Sequence, residues 1–405
     1  MDAFFVSVEE LYDPSLKGKP VVVGGRPNER GVVAAASYAA RRYGVHSAMP
    51  LTRAYQLCPQ AIFLEGRRER YQEYSGRVCE IFQLCSPQVE MASIDEAYLD
   101  LTGCERLLGP PLKAAHHLHE RVREETKLPC SIGIGVSRLV AKIASDQAKP
   151  NGILWVVPGA EQAFLAPLEV RKVPGVGPVT EKHLRELGIR RVGDLAALGE
   201  EVLRQRFGLW GLALAGKARG QDAGGWFDAP VGGREGAKSV SHETTYGEDT
   251  ADVRVLEATL ARLAQMVGRR LREAGLHGRT VELKLRYSDF STITRARSLD
   301  ETTQLDTVIQ ETARELFRAN WRAGRKVRLL GVGLSNLGGA EGQLDLLEGD
   351  RKRKWSRALA AMDRLRDRYG ERTVELAGGM ESGWRERIHE NPAGLPGRKN
   401  RPEPK

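Results

Sequence analysis

Two adjacent carboxylates, Asp95 and Glu96, are the residues of this sequence best suited to chemistry on phosphates. Adjacent side chains of a regular strand point to opposite faces, so such a pair serves one site only where the alternation is interrupted. Here the pair lies in a Ser-Ile-Asp-Glu turn within 89–102, a segment that otherwise predicts two strands. Two carboxylates suit Mg²⁺, which binds through a few oxygen ligands together with substrate phosphates. Because an isolated Asp-Glu pair is usually a solvated turn, the assignment depends on the rest of the chain.

Two sets of polar side chains are suited to bind a polyphosphate. Tyr38 and Arg41 are three residues apart on a predicted helical turn, so both side chains reach one surface. Arginine offers a fork that matches phosphate oxygens, and tyrosine adds a hydroxyl donor. Lys142 and Lys149 are seven residues apart on a predicted helix, 137–149, and also share one face. Either pair alone is more often a solvated charge than a binding site.

A Pro-Gly-Val-Gly turn at 174–177 precedes a predicted helix, 178–187. Glycines in such a turn let backbone N–H groups approach a DNA phosphate, and a helix N-terminus favours anions. The pattern resembles the hairpin of a helix-hairpin-helix motif, which contacts DNA without reading its sequence. We therefore predict a DNA contact at Gly175, Val176 and Gly177.

The elements that must position these residues form several domains, because 405 residues are too many for one compact core. A glycine-rich segment, 220–236, is predicted to be a linker. Beyond it, 238–337 is predicted as strand, helix, strand, strand, helix, strand, which makes a small sheet with helices on one face. A basic helix, 350–369, follows, and the tail from 378 has too little apolar content to fold alone.

The formal charge of +9 and the pI near 9.3 favour a polyanionic partner, although charge alone does not separate DNA from RNA or an anionic membrane. No apolar run approaches the roughly 18 residues of a membrane span, so we expect a cytoplasmic protein without a membrane partner. The five cysteines form no CxxC pair, which favours reduced thiols over a zinc site or disulfides. The histidines at 116–119 lack an HExxH pattern and are expected to be structural.

These pieces occur in the order and spacing of a known motif set. The segments that carry the likeness are MDAFFVSVE at 1–9, SYAARRYG at 37–44, SIDEAYLD at 93–100, AKIASD at 141–146 and AKPNG at 148–152. The hairpin and Lys238-Ser239, which opens the last domain, continue it. The chain thus resembles the Y-family, lesion-bypass DNA polymerases of the bacterial polymerase IV type over about residues 1–340.

The resemblance implies an α+β multidomain fold, a right-hand polymerase with palm, fingers, a helical helix-hairpin-helix thumb and a βαββαβ little finger. The implied bounds are 1–10 with 68–158 for the palm, 11–67 for the fingers, 159–228 for the thumb, 229–237 for a linker and 238–340 for the little finger. A clamp-binding peptide, the basic helix and a disordered tail would occupy 341–405.

The resemblance also assigns the site. Asp95 and Glu96 match the metal-binding and catalytic carboxylates for two Mg²⁺ ions, with Mn²⁺ as an alternative, and the backbone carbonyl of Met1 matches a further ligand. Phe5, next to Phe4, matches the aromatic steric gate that packs on the sugar and excludes a 2′-hydroxyl. The residues matching those that hold the incoming nucleotide are Phe4, Phe5, Tyr38, Arg41 and Lys149, and those matching DNA contacts are Gly175, Val176, Gly177, Lys238 and Ser239.

The implied enzyme is a DNA-directed DNA polymerase that adds deoxynucleotides to a primer 3′ end in error-prone translesion synthesis. Its implied partners are primer-template DNA, dNTPs and the sliding clamp (β subunit), bound by a monomer. Gln343, Leu344, Leu346 and Leu347 resemble the peptide with which bacterial polymerases dock on the clamp. In that mode a glutamine reaches a polar pocket while apolar side chains fill a groove.

The sequence departs from the family at two positions. Relatives often have Thr where this chain has Ala35, so one hydroxyl contact to the triphosphate is expected to be absent. The family has a metal-binding Asp immediately before the residue matching Met1, and Asp2 lies two residues past that ligand position. We therefore expect a start codon further upstream.

Two other functions stay open from the sequence. A non-catalytic DNA- and clamp-binding relative would lack the metal ligand, and primer extension distinguishes it from an enzyme. A palm-type nucleotidyl cyclase also uses paired carboxylates and two metals, but it has no use for a duplex-binding hairpin.

Overall fold

A computed structural model describes residues 1–224, 227, 229–233, 236–339, 349–370, 373, 374 and 379. The chain divides into one unit of residues 1–235 and a second that begins at Gly236. The predicted clamp peptide at 343–347 lies outside the described residues, and so does the predicted disordered tail, 378–405, apart from Gly379. Among the described residues, no helix is long and apolar enough to cross a membrane.

The first unit opens with helix α1 (Phe4–Tyr12), which buries Phe4, Val6 and Val8. A three-stranded sheet follows, with strand order β2-β1-β3. The strands are β1 (Val21–Val23), β2 (Ala35–Ala36) and β3 (Ile62–Leu64). Two helices, α2 (Tyr38–Arg41) and α3 (Leu51–Leu57), lie between β2 and β3 in the sequence. Strand β2 has only two residues, and Val32, just before it, forms an isolated bridge to Pro50.

The second part of this unit carries the acidic turn. Its elements are α4 (Arg68–Cys85), β4 (Gln88–Met91), β5 (Ala97–Asp100), α5 (Glu105–Leu108), α6 (Pro111–Thr126), β6 (Ile132–Ile134), α7 (Arg138–Gln147) and β7 (Ile153–Trp155). Strands β4 and β5 form an antiparallel hairpin, as predicted, and β6 pairs with β7 in parallel. Helix α7 lies directly against β6. The approach is so close that a Cβ at Gly133 would come within 2.1 Å of the Ala141 carbonyl oxygen.

Five helices follow around one apolar core that includes Leu184, Leu195, Leu203 and Leu214. They are α8 (Glu161–Leu165), α9 (Pro178–Glu186), α10 (Val192–Ala197), α11 (Glu200–Phe207) and α12 (Leu209–Ala218). The helix predicted after the Pro-Gly-Val-Gly turn is α9, which begins at Pro178 and ends one residue earlier than predicted.

The glycine-rich segment belongs to the first unit up to residue 235, and its described residues are bonded to other parts of that unit. The Asp222 carboxylate accepts hydrogen bonds from the backbone N–H groups of Arg138 and Leu139, at 3.0 and 2.8 Å. The buried Arg138 guanidinium pairs with Glu90 at 3.1 Å and donates to the Ala229 carbonyl at 2.7 Å. The segment predicted as a linker is therefore bonded to the start of α7.

The second unit confirms the predicted strand and helix order. Its elements are β8 (Ser239–Thr250), α13 (Val253–Glu273), β9 (His277–Tyr287), β10 (Thr292–Thr303), α14 (Asp306–Asn320) and β11 (Val327–Gly338), in a sheet of order β10-β9-β11-β8. The alternating residues of β9 fill the core, with Val281, Leu283 and Leu285 fully buried. Helix α15 (Gly349–Tyr369), the predicted basic helix, is joined to α13 where Arg272 pairs with Asp363 at 2.6 Å.

Candidate active site

Asp95 and Glu96 lie at the turn between β4 and β5, where the strand alternation is interrupted. The backbone N–H groups of Ala92 and Ser93 both donate to the Glu96 carbonyl, at 2.8 and 3.1 Å. The Ser93 hydroxyl donates to the Asp95 carboxylate at 2.7 Å and fixes its orientation. The turn therefore brings two carboxylates to one end of the hairpin, as the sequence predicts.

A cavity of about 250 Å³ opens beside this turn. It collects residues from separate stretches of the chain, and all five of the predicted nucleotide-binding residues are among them. The cavity is lined by Met1, Ala3, Phe4, Phe5, Ala34, Ala35, Tyr38, Arg41, Ser47, Asp95 and Lys149. Ala35, where the sequence predicts a missing hydroxyl contact, is among these lining residues.

The Tyr38 hydroxyl is buried and has no hydrogen-bond partner among the described residues. Burial raises the pKa of Tyr38 above its usual value, so at neutral pH the phenol keeps its proton and remains a donor. The Arg41 guanidinium lies 4.9 Å from the centre of the Tyr38 ring and donates through Nε to the Ala36 carbonyl at 3.1 Å. A buried donor without an acceptor, beside an arginine, is suited to bind an anion.

Two lysines border the carboxylates. Lys149 Nζ lies 2.7 Å from Asp146 Oδ1. Although burial favours the neutral amine, the hydrogen bond and negative charge of Asp146 hold the pKa of Lys149 above its usual value. Lys142 forms a close ion pair with Glu96 and also lies 3.8 Å from Asp146. The helix predicted over 137–149 is α7, which ends at Gln147, so Lys149 lies beyond the helix that was expected to carry both lysines. The sequence also does not predict the contact of Lys142 with Glu96.

Phe5 stacks on Tyr71, with 4.4 Å between the ring centres and 26° between the ring planes. The Tyr71 hydroxyl donates to the Glu9 carboxylate at 2.7 Å, so the supporting ring is itself fixed. Phe4 also borders the cavity but is only 3% exposed and belongs mainly to the core. Sequence reasoning missed Tyr71, because no local pattern links helix α4 to Phe5.

Asp2 has a structural position. One of its carboxylate oxygens accepts hydrogen bonds from the Ser131 hydroxyl and from the Asn151 N–H, both at 2.7 Å. Asp2 is 1% exposed and is absent from the cavity wall. Met1 does line the cavity, and its amino group donates to the Asp95 carbonyl at 2.7 Å.

The predicted DNA contacts lie on separate elements. Gly175 adopts a positive φ of 94°, and a Cβ there would meet the Trp210 ring at 2.5 Å, so only glycine fits this turn. Gly177 is the N-cap residue of α9, and Val176 is buried beneath the turn. Lys238 and Ser239 are exposed at the start of the second unit, where Ser239 pairs with Ser335 across β8 and β11.

The donor set at the turn can hold a divalent cation together with a substrate. Within the described ranges, no group of three or more His, Cys, Asp or Glu side chains is placed to bind an ion by itself. Mg²⁺ typically takes one or two carboxylates and completes its oxygen shell with water and substrate phosphates. Asp95 and Glu96 fit that arrangement, with the cavity supplying space for the phosphates.

Family models match most of the chain. The impB/mucB/samB family matches residues 1–146, its C-terminal domain matches residues 237–346, and the IMS family HHH motif matches residues 158–189. The last of these spans the hairpin and helix α9.

Individual relatives match over nearly their whole length. DNA polymerase IV of Dehalococcoides mccartyi strain CBDB1 is 43% identical over 376 residues, which cover 93% of this chain and 95% of the relative. DNA polymerase IV of Halorhodospira halophila is 43% identical over 346 residues, or 85% of this chain and 96% of the relative.

Solved structures give the same result. A Y-family DNA polymerase chimera of Dbh and Dpo4 superposes with a TM-score of 0.71 at 29% identity, over 84% of this chain and 97% of the chimera. The insertion ternary complex of Dbh DNA polymerase superposes with a TM-score of 0.59 at 29% identity, with the same coverage. These matches confirm the predicted fold class and the predicted enzyme class, a DNA-directed DNA polymerase. The chain therefore belongs to the Y-family of DNA polymerases, among the relatives called DNA polymerase IV.

Proposed function

We propose that this polymerase extends a primer 3′ end by template-directed addition of deoxynucleotides, in error-prone synthesis across damaged DNA. The observation that carries the proposal is the cavity beside the acidic turn, where Asp95, Phe5 and the buried donor Tyr38 converge. A cavity that is anionic at one end and has phosphate donors at the other suits a nucleoside triphosphate and a metal ion.

The incoming nucleotide is held by residues of both walls. Tyr38 donates through its protonated hydroxyl and Arg41 through its guanidinium, while the charged Lys149 faces the same space. The Phe5 ring, backed by Tyr71, packs against the sugar and leaves no room for a 2′-hydroxyl. The triphosphate is thereby placed with its α-phosphate next to Asp95.

In the reaction, the oxygen of the primer 3′-hydroxyl attacks the α-phosphorus, and the bond between the α-phosphorus and the bridging oxygen breaks. The hydroxyl proton is released to solvent, and pyrophosphate leaves. Asp95 and Glu96 would supply the carboxylate ligands of the cation, and the ion pair with Lys142 orients Glu96. When bound, two Mg²⁺ ions, or Mn²⁺, lower the pKa of the attacking hydroxyl and neutralise the charge that develops on pyrophosphate.

We assign palm, fingers, thumb, linker and little finger to the bounds given above. The break of the chain into units near Gly236 supports the linker at 229–237. The hairpin at 174–177 contacts a phosphate of the primer-template duplex, and Lys238 and Ser239 contact its backbone. These contacts position the duplex without reading its sequence.

Tyr38→Phe and Lys149→Met are each expected to raise the KM for the incoming dNTP by roughly tenfold, because each removes one donor to a charged group. Steady-state incorporation of one nucleotide on a defined template measures KM and kcat separately. Affinity for the primer-template, measured without nucleotide, should stay within about twofold of the parent, since DNA affinity depends on distributed phosphate contacts. An unchanged KM in both variants would show that this wall does not bind the triphosphate.

We further propose that the peptide Gln343 to Leu347 binds the sliding clamp. Replacing Leu346 and Leu347 together by alanine should abolish stimulation by the clamp, because each buried leucine contributes roughly 2 kcal/mol. Clamp-free synthesis should not change. Primer extension with and without clamp, together with direct binding to the clamp, measures both effects. Undiminished clamp affinity of the double variant would contradict the assignment.

A further inference from the structure

Lys217, on helix α12, is a buried lysine to which the reaction above gives no role. Its side chain is 2% exposed. The Nζ atom donates to the Pro174 carbonyl at 3.0 Å and lies 4.6 Å from the centre of the Trp210 ring and 4.9 Å from that of Phe227. A buried ammonium is costly unless such partners compensate it, and an apolar residue of similar volume is often no less stable there.

The contact with Pro174 determines how the neighbouring hairpin is presented. In a trans peptide the C=O and the following N–H point in opposite directions. Because the Pro174 carbonyl faces Nζ, the Gly175 N–H faces away from the helices beneath it. Neither the Gly175 N–H nor the Gly177 N–H has an acceptor within the part of the chain that the structure describes.

The ammonium also lies directly under the turn. A Cβ built on Gly175 would meet Trp210 at 2.5 Å and Lys217 Nζ at 3.8 Å. Together Lys217 and Trp210 form the floor on which the hairpin lies. A positive charge in this low-dielectric interior attracts an anion above the hairpin more strongly than a solvated charge would at the same distance.

We propose that Lys217 is a positioning residue for DNA binding. It fixes the peptide plane between Pro174 and Gly175 so that the N–H groups of the hairpin face a DNA phosphate, and it places a positive charge behind that phosphate. The inference rests on the proposed role of the hairpin as a DNA contact and names the side chain that makes the hairpin competent for it.

The test compares the parent with Lys217→Met, which keeps the apolar stem but removes the charge and the donor. Binding of a labelled primer-template duplex is measured by fluorescence anisotropy without nucleotide, over a series of NaCl concentrations. We expect roughly tenfold weaker binding at low salt, since a hydrogen-bonded contact to a charged group is lost. The logarithm of the DNA-binding constant decreases with the logarithm of the NaCl concentration, and the magnitude of this slope should be smaller by about one, the value for one lost phosphate contact. Lys217→Arg, which keeps the charge and a donor, should restore most of the slope.

Leu214→Ala is the matched control for loss of packing, because Leu214 is a fully buried core residue on the same helix. It should lower the Tm and leave the salt slope unchanged. If Leu214→Ala and Lys217→Met reduce the slope equally, Lys217 only stabilises the fold and the inference is overturned. If Lys217→Met does not fold, Lys217→Gln, which keeps a donor without the charge, is measured with the same expected loss of slope.

Gly177→Ala separates the inference from the proposed function. Among the residues that the structure describes, none comes within 4 Å of a Cβ built at Gly177, so this methyl group would occupy the space where a phosphate approaches. Weaker binding for Gly177→Ala with parental binding for Lys217→Met would refute the role of Lys217 and leave the hairpin contact intact. Parental binding for both would refute the hairpin contact itself, and the inference with it.

Discussion

Asp95→Ala and Glu96→Ala are each expected to slow nucleotide incorporation by at least roughly a thousandfold, because removing a carboxylate of the cation site removes several kcal/mol of transition-state stabilisation. Duplex DNA binding should change by less than about threefold, since it depends on basic and backbone contacts spread over the protein. The structure supports this separation, because both carboxylates lie at the β4–β5 turn and the hairpin at 174–177 lies on other elements.

The rates are best measured in single turnovers, with enzyme in excess over a labelled primer-template and with Mg²⁺ and Mn²⁺ tested separately. Glu120→Ala, at an exposed carboxylate of α6, is the matched control and should extend primers at the parental rate. Extension by Asp95→Ala and Glu96→Ala at rates comparable to the parent would remove both residues from the mechanism.

Phe5→Ala is expected to admit ribonucleotides. The Phe5 ring is held against the cavity by Tyr71, so its removal leaves space for a 2′-hydroxyl next to the sugar. The ratio of kcat/KM for dNTP to that for rNTP should fall by at least roughly a hundredfold, because steric exclusion is lost while the triphosphate contacts remain.

The comparison requires one template and matched dNTP and rNTP of the same base. Phe5→Tyr, which keeps the ring, should retain the parental ratio, whereas a general loss of stability would lower both efficiencies together. A parental ratio in Phe5→Ala would mean that Phe5 is only a core residue.

Local patterns predict the β4–β5 hairpin, helix α9, the elements of the second unit and much of the cavity wall. The little-finger order follows from alternation in β9 and from apolar residues three and four apart in α13, because those periods reflect which face is buried. Phe5, Tyr38, Arg41, Asp95 and Lys149 were identified through short motifs, and the structure places all five at one cavity.

Contacts between distant residues were not predictable, because periodicity describes only neighbours in sequence. The ion pair of Lys142 with Glu96 spans 46 positions, and the hydrogen bond from Lys217 to Pro174 spans 43. Asp222 reaches the N–H groups at the start of α7 across 84 and 83 positions, although composition alone indicated only a linker there. Such pairs depend on how helices pack, which no local pattern contains.

The central claim is that this chain performs templated nucleotidyl transfer at Asp95 and Glu96. The most direct measurement offers each of the four dNTPs singly to the protein with a labelled primer-template and Mg²⁺. We expect the primer to lengthen by one nucleotide with the dNTP complementary to the template base, and not to lengthen when EDTA is present. Tight binding of the same duplex with no extension in either Mg²⁺ or Mn²⁺ would contradict the claim and identify a DNA-binding protein without polymerase chemistry.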